Sequence, residues 1–386
     1  MKERGNTLLK IADQYVGIPL VAILGFFTRK RKLNTASLGR SGARFTFLVT
    51  GAIGDTVLAS AILAEVRRQF PASTTTLVVS RGNMPVASLF APVDHIVIFE
   101  MAEPVRSLRS VSRLEKSDLL IDFAPWPRIN SLIAYTIRAD FKVGFRRRNM
   151  FRHYVFDAAV EHSDACHEID NYRNLLRAVN LSVEGHLPSL VLGQDVLEKA
   201  VTVLDPSRLN VVMHPFPGGS QKELKEWPRE SWVETCRHLI RKGCTIFITG
   251  DRNDEPAAVR IKEGLGQDAG YCRVLCGNFS LAEVAGILYK SSLFITVNTG
   301  VMHIGAALNV PMIALHGPTS PLRWGPLSPK AIVLTPKSEC APCLSLGFDY
   351  GCKSGGCMQT IAVEEVLCQA SRLLTKQAVE KPDGTI

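Results

Sequence analysis

The chain has 386 residues, 46% of them hydrophobic: enough apolar material for buried cores, and more length than one ordinary domain needs. Its net charge of +9 is uneven, because residues 1–44 hold nine Lys/Arg against Glu3 and Asp13 while the remainder is nearly balanced. A general nucleic-acid binder is therefore not implied, and the basic excess belongs to an N-terminal extension.

That extension, residues 1–43, contains IADQYVGIPLVAILGFFTRKRK. As a helix, the uncharged run from Gln14 to Thr28 would be ~22 Å long, short of the ~30 Å hydrocarbon core, and Gly17 and Pro19 weaken it. Arg29-Lys30-Arg31-Lys32 follow at once. The pattern fits an apolar or amphipathic helix held at an anionic membrane surface. The alternatives are a helix packed on the protein's own body and an uncleaved signal-like segment. Basic residues flank the run on both sides and no small-residue cleavage site follows directly, which argues against a cleaved signal peptide.

From residue 44, short apolar runs alternate with amphipathic patterns. Strands are expected at 45–50, 74–80, 95–100 and 118–125, and helices at 56–71, 86–91 and 128–139. A second series has strands at 209–216, 244–250, 293–298 and 311–317, with helices at 229–243, 281–292 and 300–309. Such alternation predicts parallel sheets covered by helices. We expect one α/β domain over 44–185, a linker over 186–208, a second α/β domain over 209–370 and a tail over 371–386. Ligands bind outside the carboxyl ends of such strands, so the active site is expected in a cleft between the domains.

In FLVTGAIGDTVLAS (47–60) a strand meets a glycine-rich turn and then a helix. Turns of this kind usually cradle phosphate, but here a carboxylate, Asp55, stands where the anion would sit. FITVNTGVMHIGAA (294–307) ends a strand at Val297 and passes through Asn298-Thr299-Gly300 into a helix carrying His303. The N–H groups of Thr299, Gly300, Val301 and Met302 would point at an anion, unless the turn is an ordinary one capped by Asn298 or Thr299. HPFPGGSQKELKEWPRESW (214–232) offers Lys225 before a rigid Trp-Pro, a point charge suited to a diphosphate. ITGDRNDEPA (248–257) offers Asp254 and Glu255 for ribose or sugar hydroxyls, or as a helix cap.

GAIGDTVLASAILAEVRRQFP, KEWPRESW, VNTGVMHIGAALNVPMIALHGPTSPLRWGP and a cysteine-rich segment together resemble glycosyltransferase family 9, the lipopolysaccharide heptosyltransferases and their relatives. The likeness covers roughly residues 44–370. It implies a GT-B fold of two Rossmann-like domains facing across a cleft, a sugar-nucleotide donor in the C-terminal domain and an acceptor in the N-terminal one. It also implies inversion at the sugar carbon with no required metal. Asp55 matches the family's general base, which takes the acceptor hydroxyl's proton, and Gly54 lies beside it at the acceptor. Lys225 and residues 299–302 match the diphosphate contacts, with His303 on their helix, and Asp254 or Glu255 the acidic position near the ribose. Many relatives have aspartate where this chain has Asn298, which bears on the choice of donor.

For an anionic lipid-linked acceptor the candidates are Arg81 and the run Arg146, Arg147, Arg148 and Arg152, expected in a loop after the first sheet. Cys340, Cys343, Cys352 and Cys357 are spaced C-x2-C-x8-C-x4-C, a candidate structural zinc or iron–sulfur site or a set of reduced thiols, while the other six cysteines are scattered. The reading that follows is heptose transfer from ADP-heptose to a lipopolysaccharide core acceptor, by a peripheral protein at the cytoplasmic face of the inner membrane. A hexose or N-acetylhexosamine donor, or a non-catalytic sugar-nucleotide-binding partner, are the alternatives. An NAD-type oxidoreductase is disfavoured because no GxGxxG follows either first strand.

Overall fold

The computed structural model describes residues 13, 15–34, 38–39, 42–91, 93–219, 221–344, 352 and 356–380. The chain divides into two compact units, 1–190 and 191–386.

The first unit is built on a six-stranded parallel sheet: β1 Arg44–Val49, β2 Thr74–Ser80, β3 His95–Phe99, β4 Ser117–Asp122, β5 Ala139–Arg146 and β6 Ala158–Glu161. The strand order is β3-β2-β1-β4-β5-β6, with registers such as Phe47↔Leu77 and Phe47↔Ile121. Its helices are α1 Gly17–Phe27, α2 Ile53–Gln69, α3 Met84–Ala87, α4 Pro104–Ser112, α5 Arg128–Thr136 and α6 Glu168–Arg177. The second unit repeats the plan with β7 Leu209–His214, β8 Cys244–Ile248, β9 Cys272–Val274, β10 Leu293–Val297, β11 Met312–Leu315 and β12 Ala331–Leu334, ordered β12-β11-β10-β7-β8-β9. Its helices are α7 Gln194–Val203, α8 Arg229–Arg241, α9 Glu255–Glu263, α10 Leu281–Lys290, α11 Gly300–Ala307, α12 Pro321–Trp324 and α13 Val363–Glu380.

The central strands β4, β8, β10 and β11 are buried throughout, the state of parallel strands covered on both faces, and this is why they read as near-continuous apolar runs. In both sheets the strand order reverses between the first strand and the fourth, β1 and β4 or β7 and β10. A crevice opens outside the carboxyl ends at such a reversal, and ligands settle there.

Several elements differ from expectation. Helix α2 begins at Ile53 rather than Thr56, because Asp55 lies inside its first turn and accepts the Ala52 N–H. The stretch 186–208 is not a bare linker. Helix α7 occupies it and packs on α10, with Val196 against Gly286 and Lys199 paired with Glu283. Of the arginine run only Arg147 and Arg148 lie in the expected loop: Arg146 ends β5, and Arg152 opens a short 3-10 turn, Arg152–Val155.

The extension is tied to the first unit. Asp13 caps α5, where Pro127 offers no side-chain cap, by accepting the Arg128 N–H (2.8 Å) and pairing with the Arg128 guanidinium (2.6 Å). After α1, Lys30 donates to the carbonyls of His153, Tyr154 and Phe156, and Arg31 pairs with Asp157 (2.8 Å). Val21 enters the core with Leu48, Leu120 and Ile133, a burial that contributes about 1.5–3 kcal/mol. Gly25 is needed because a Cβ there would lie 2.4 Å from Tyr154 Cβ. Among the described residues, no helix is long and apolar enough to cross a membrane.

Candidate active site

In the first unit the turn from Thr50 to Asp55 leaves β1 at the strand reversal. Ala52 N–H donates to Asp55 Oδ2 at 2.6 Å, which fixes the half-buried carboxylate on the first turn of α2. Gly51 makes this possible: a Cβ there would sit 2.6 Å from Asp55 Oδ2. Gly54 is buried within the same turn.

The turn is braced from two sides. Asn83 Nδ2 donates to the carbonyls of Gly51 (2.7 Å) and Val49 (3.3 Å). Thr50 Oγ1 donates to Asn130 Oδ1 (2.8 Å), whose amide donates to Asp122 Oδ1 (3.3 Å). Asp122 also accepts the Ala124 N–H (2.9 Å) and pairs with Arg152, whose guanidinium donates to the Ala124 carbonyl as well. Burial pushes the Asp122 carboxyl up, and the Arg152 charge opposes that shift. A fully buried pair of this kind is sustained by its mutual geometry and added hydrogen bonds.

Arg152 is therefore core scaffolding under the turn, a correction to its expected place on an acceptor surface. Three of the other candidate arginines are engaged in ion pairs. Arg81 pairs with Glu100 (2.5 Å) and Arg146 with Glu161 (2.9 Å). Arg147 pairs with Asp164 (2.6 Å) and lies 3.8 Å over the Trp126 ring. Arg148 is exposed.

In the second unit, Thr299 is the N-cap of α11, and its hydroxyl accepts the N–H groups of Val301 (3.1 Å) and Met302 (3.4 Å). Those two amides are thus taken by the cap and not presented to an anion. The N–H groups of Thr299 and Gly300 have no acceptor among the described residues. Met302 and His303 are buried beneath the turn. Half-buried Asn298 shares a hydrogen bond with His316 Nδ1 (3.1 Å), at the end of the neighbouring strand β11.

Lys225 closes a 3-10 turn, Lys222–Lys225, in the loop after β7. It is only 7% exposed, and Nζ donates to the Gly218 carbonyl at 2.6 Å. Burial holds its ammonium down, to about 8. A desolvated cation with one neutral acceptor is poised for an anion that would restore its charge balance. Asp254 Oδ2 accepts the Asp251 N–H (2.9 Å), so this carboxylate shapes the turn before α9, while Glu255 is exposed on that helix.

The sequence reading missed Asn83, Asp122 and Asn130 in the first unit. In the second it missed His214, which ends β7 against Thr249 Oγ1 (3.0 Å) and is held down to about 4 by burial. It also missed Glu226, whose carboxyl is raised by desolvation, opposed by Lys222 and reinforced by Glu223 and Asp254. Polar residues at or just past a strand's carboxyl end, such as Asp122, His214, Thr249 and His316, were the available signal.

At the four clustered cysteines, as elsewhere among the described residues, no group of three or more His, Cys, Asp or Glu is placed to hold a metal. Cys357 turns inward, packing with Met358 against Gly317, whereas Cys340 is exposed beside Ser338 Oγ (3.1 Å). Burial raises the Cys357 thiol, with Cys343, Cys340 and Cys352 adding to the shift.

A profile of glycosyltransferase family 9 (heptosyltransferase) matches residues 116–353. Lipooligosaccharide heptosyltransferase 2 of Haemophilus influenzae is 34% identical over 119 residues, 31% of this chain and 34% of that enzyme's length. The lipopolysaccharide core heptosyltransferase OpsX of the same organism is 22% identical over 83% of this chain and 94% of its own. Among solved structures, E. coli ADP-heptose LPS heptosyltransferase II superposes with a TM-score of 0.72 at 19% identity, over 87% of this chain and 99% of that one. TibC, an iron-containing dodecameric glycosyltransferase of enterotoxigenic E. coli, superposes at 0.55 with 15% identity, over 88% and 77%. The two sheets of this chain thus have the GT-B architecture of the heptosyltransferase structures, and with the profile spanning well over half its length the chain belongs to glycosyltransferase family 9.

Proposed function

We propose that the protein is an inverting glycosyltransferase that moves heptose from ADP-heptose onto a lipopolysaccharide core acceptor. Asp55 accepts the proton of the acceptor hydroxyl as its oxygen attacks the anomeric carbon. The bond from that carbon to the diphosphate breaks on the opposite side, and the nucleoside diphosphate leaves with the electron pair. Lys225 and the Thr299 and Gly300 amides receive the charge that grows on the leaving group, which is where stabilisation accelerates the step. Asp254, with Glu255 beside it, is proposed for the donor ribose and His303 for support of the turn. Arg81 and Arg146–Arg148 are proposed as a rim for acceptor phosphates. No step runs through a metal.

The observation that carries this reading is the anchored Asp55 carboxylate at a strand reversal, held by Ala52 and accommodated by Gly51. The relatives' printed activities supply the donor and acceptor. Because the acceptor is lipid-linked, we place the protein at the cytoplasmic face of the inner membrane, as a peripheral protein. Incubation with ADP-heptose and heptose-deficient lipopolysaccharide, read by mass spectrometry, should show one added heptose. Addition of another sugar in a donor screen would reject ADP-heptose, and no product with any donor would reject the enzyme.

A further inference from the structure

We infer that one face of the first unit, formed by the outer sides of α1 and α4, is a docking surface for an anionic lipid bilayer. The inference rests on the proposal that the acceptor is lipid-linked, and it sharpens the membrane contact expected of the extension by naming its exposed side and adding helix α4.

Helices α4 and α1 both contact α5, and all three cover the same side of the sheet. Their inner residues Val21, Val111 and Ile133 share one core with Leu48, Val78 and Leu120. The opposite sides face outward. On α1 and its N-cap the stripe Val16, Ile23, Phe26 and Phe27 is 63%, 56%, 86% and 69% exposed. Tyr15 adds an exposed ring just before it. Two adjacent phenylalanines this exposed are costly in water and suited to the headgroup–acyl boundary.

Charge decides between a lipid surface and another apolar partner. On α4 and its C-cap, Arg106, Arg109 and Arg113 lie at i, i+3 and i+7, one helical face, and all are exposed. They line a shallow open groove of about 880 Å³ together with Leu114 and Glu103. Arg106 pairs with Glu103 (2.9 Å), whereas Arg109 and Arg113 make no ion pair among the described residues. Of the basic run after α1, Lys30 and Arg31 are spent on the protein's own carbonyls and Asp157, which leaves Arg29 and Lys32 exposed in the segment that follows Phe27. An apolar strip ending in cations, with a second cationic helix on the same side of the sheet, matches an anionic membrane and not a second copy of the same cationic face. At 11 residues α1 cannot span, and its clamps at Asp13–Arg128 and Lys30 hold it against the domain, so it would lie in the plane of the surface.

Flotation of the full chain with vesicles of phosphatidylcholine alone, or with added phosphatidylglycerol, tests this without donor or acceptor. Binding is expected to the anionic vesicles and to fall with salt. Arg109→Gln with Arg113→Gln should weaken it about 5-fold per arginine, and Phe26→Ser with Phe27→Ser should abolish it. Both variants should keep transfer to a delipidated, soluble acceptor, so loss of vesicle binding and loss of the proposed reaction are read separately. Equal binding to neutral and anionic vesicles, indifference to the arginine changes, or no vesicle binding by the full chain would each overturn the inference. So would a dimer, seen by light scattering, that Phe26→Ser with Phe27→Ser dissolves while vesicles stay unbound.

Discussion

The turn after β1 and the turn after β10 lie at the reversal points of two sheets with the same strand order, yet different chemistry caps the helices that follow. Asp55 places a carboxylate over the first amides of α2, and its charge offsets the positive end of that helix. Thr299 caps α11 with a neutral hydroxyl, which, among the described residues, leaves the positive end without a carboxylate and two amides without acceptors. Buried Lys225, on the loop after the adjacent strand β7, adds a cation in the same unit. One scaffold, used twice, thus makes a carboxylate-bearing turn and a hydroxyl-capped turn by the choice of capping residue, the former proposed above as the base and the latter as the anion site. The bracing differs as well. The first turn rests on the buried Asp122–Arg152 pair through Asn130 and Thr50, and the second on an Asn298–His316 contact.

The largest expected effect belongs to the proposed base. Asp55→Asn keeps the shape of the cap and should lower turnover by about 10²–10⁴, in a product assay at saturating donor. Removing Arg152 leaves Asp122 buried and uncompensated, so Arg152→Ala should cost about 3–5 kcal/mol in denaturant unfolding. A loss within experimental error would show that the bracing is idle. Lys225→Ala should weaken donor binding by about 10- to 100-fold, the worth of a charge-assisted contact, with unfolding little changed.

The pH response sharpens the contrast. The pKa of Lys225 in the fold, about 8, lies below its ordinary 10.5, so the folded chain binds this proton less readily than the unfolded one. Its contribution to stability therefore rises with pH between about 8 and 10.5 and is at its least below 8. Donor affinity should move the opposite way, falling by up to about tenfold per pH unit above 8 as the cation is lost. Lys225→Ala should flatten the binding profile. The smallest effect is expected at the second cap: Thr299→Ala should cost about 1 kcal/mol of stability while leaving the backbone amides to bind the donor.

The alternation of strands and helices was legible because parallel strands buried on both faces must be apolar. The β5–β6 end was not. β6 is four residues, AAVE, and β5 begins three residues after α5, so its first residues read as a continuation of that helix. The positions of Asp55 and Lys225 in their turns were legible from glycine and proline punctuation. The Asp122–Arg152 pair was not, because its partners are 30 residues apart and arginine in a basic run ordinarily faces water. Val301 and Met302 were misjudged for a local reason. A threonine at N-cap satisfies the very amides that a ligand would use, and sequence spacing does not tell which acceptor takes them.

The division of labour between the two turns is tested most directly by calorimetric titration of ADP-heptose into the Asp55→Asn and Lys225→Ala variants side by side. The Asp55 variant should bind donor as the native protein does while turning over about 10²–10⁴ more slowly, and the Lys225 variant should lose affinity. Donor binding lost with Asp55 and retained without Lys225 would contradict that division.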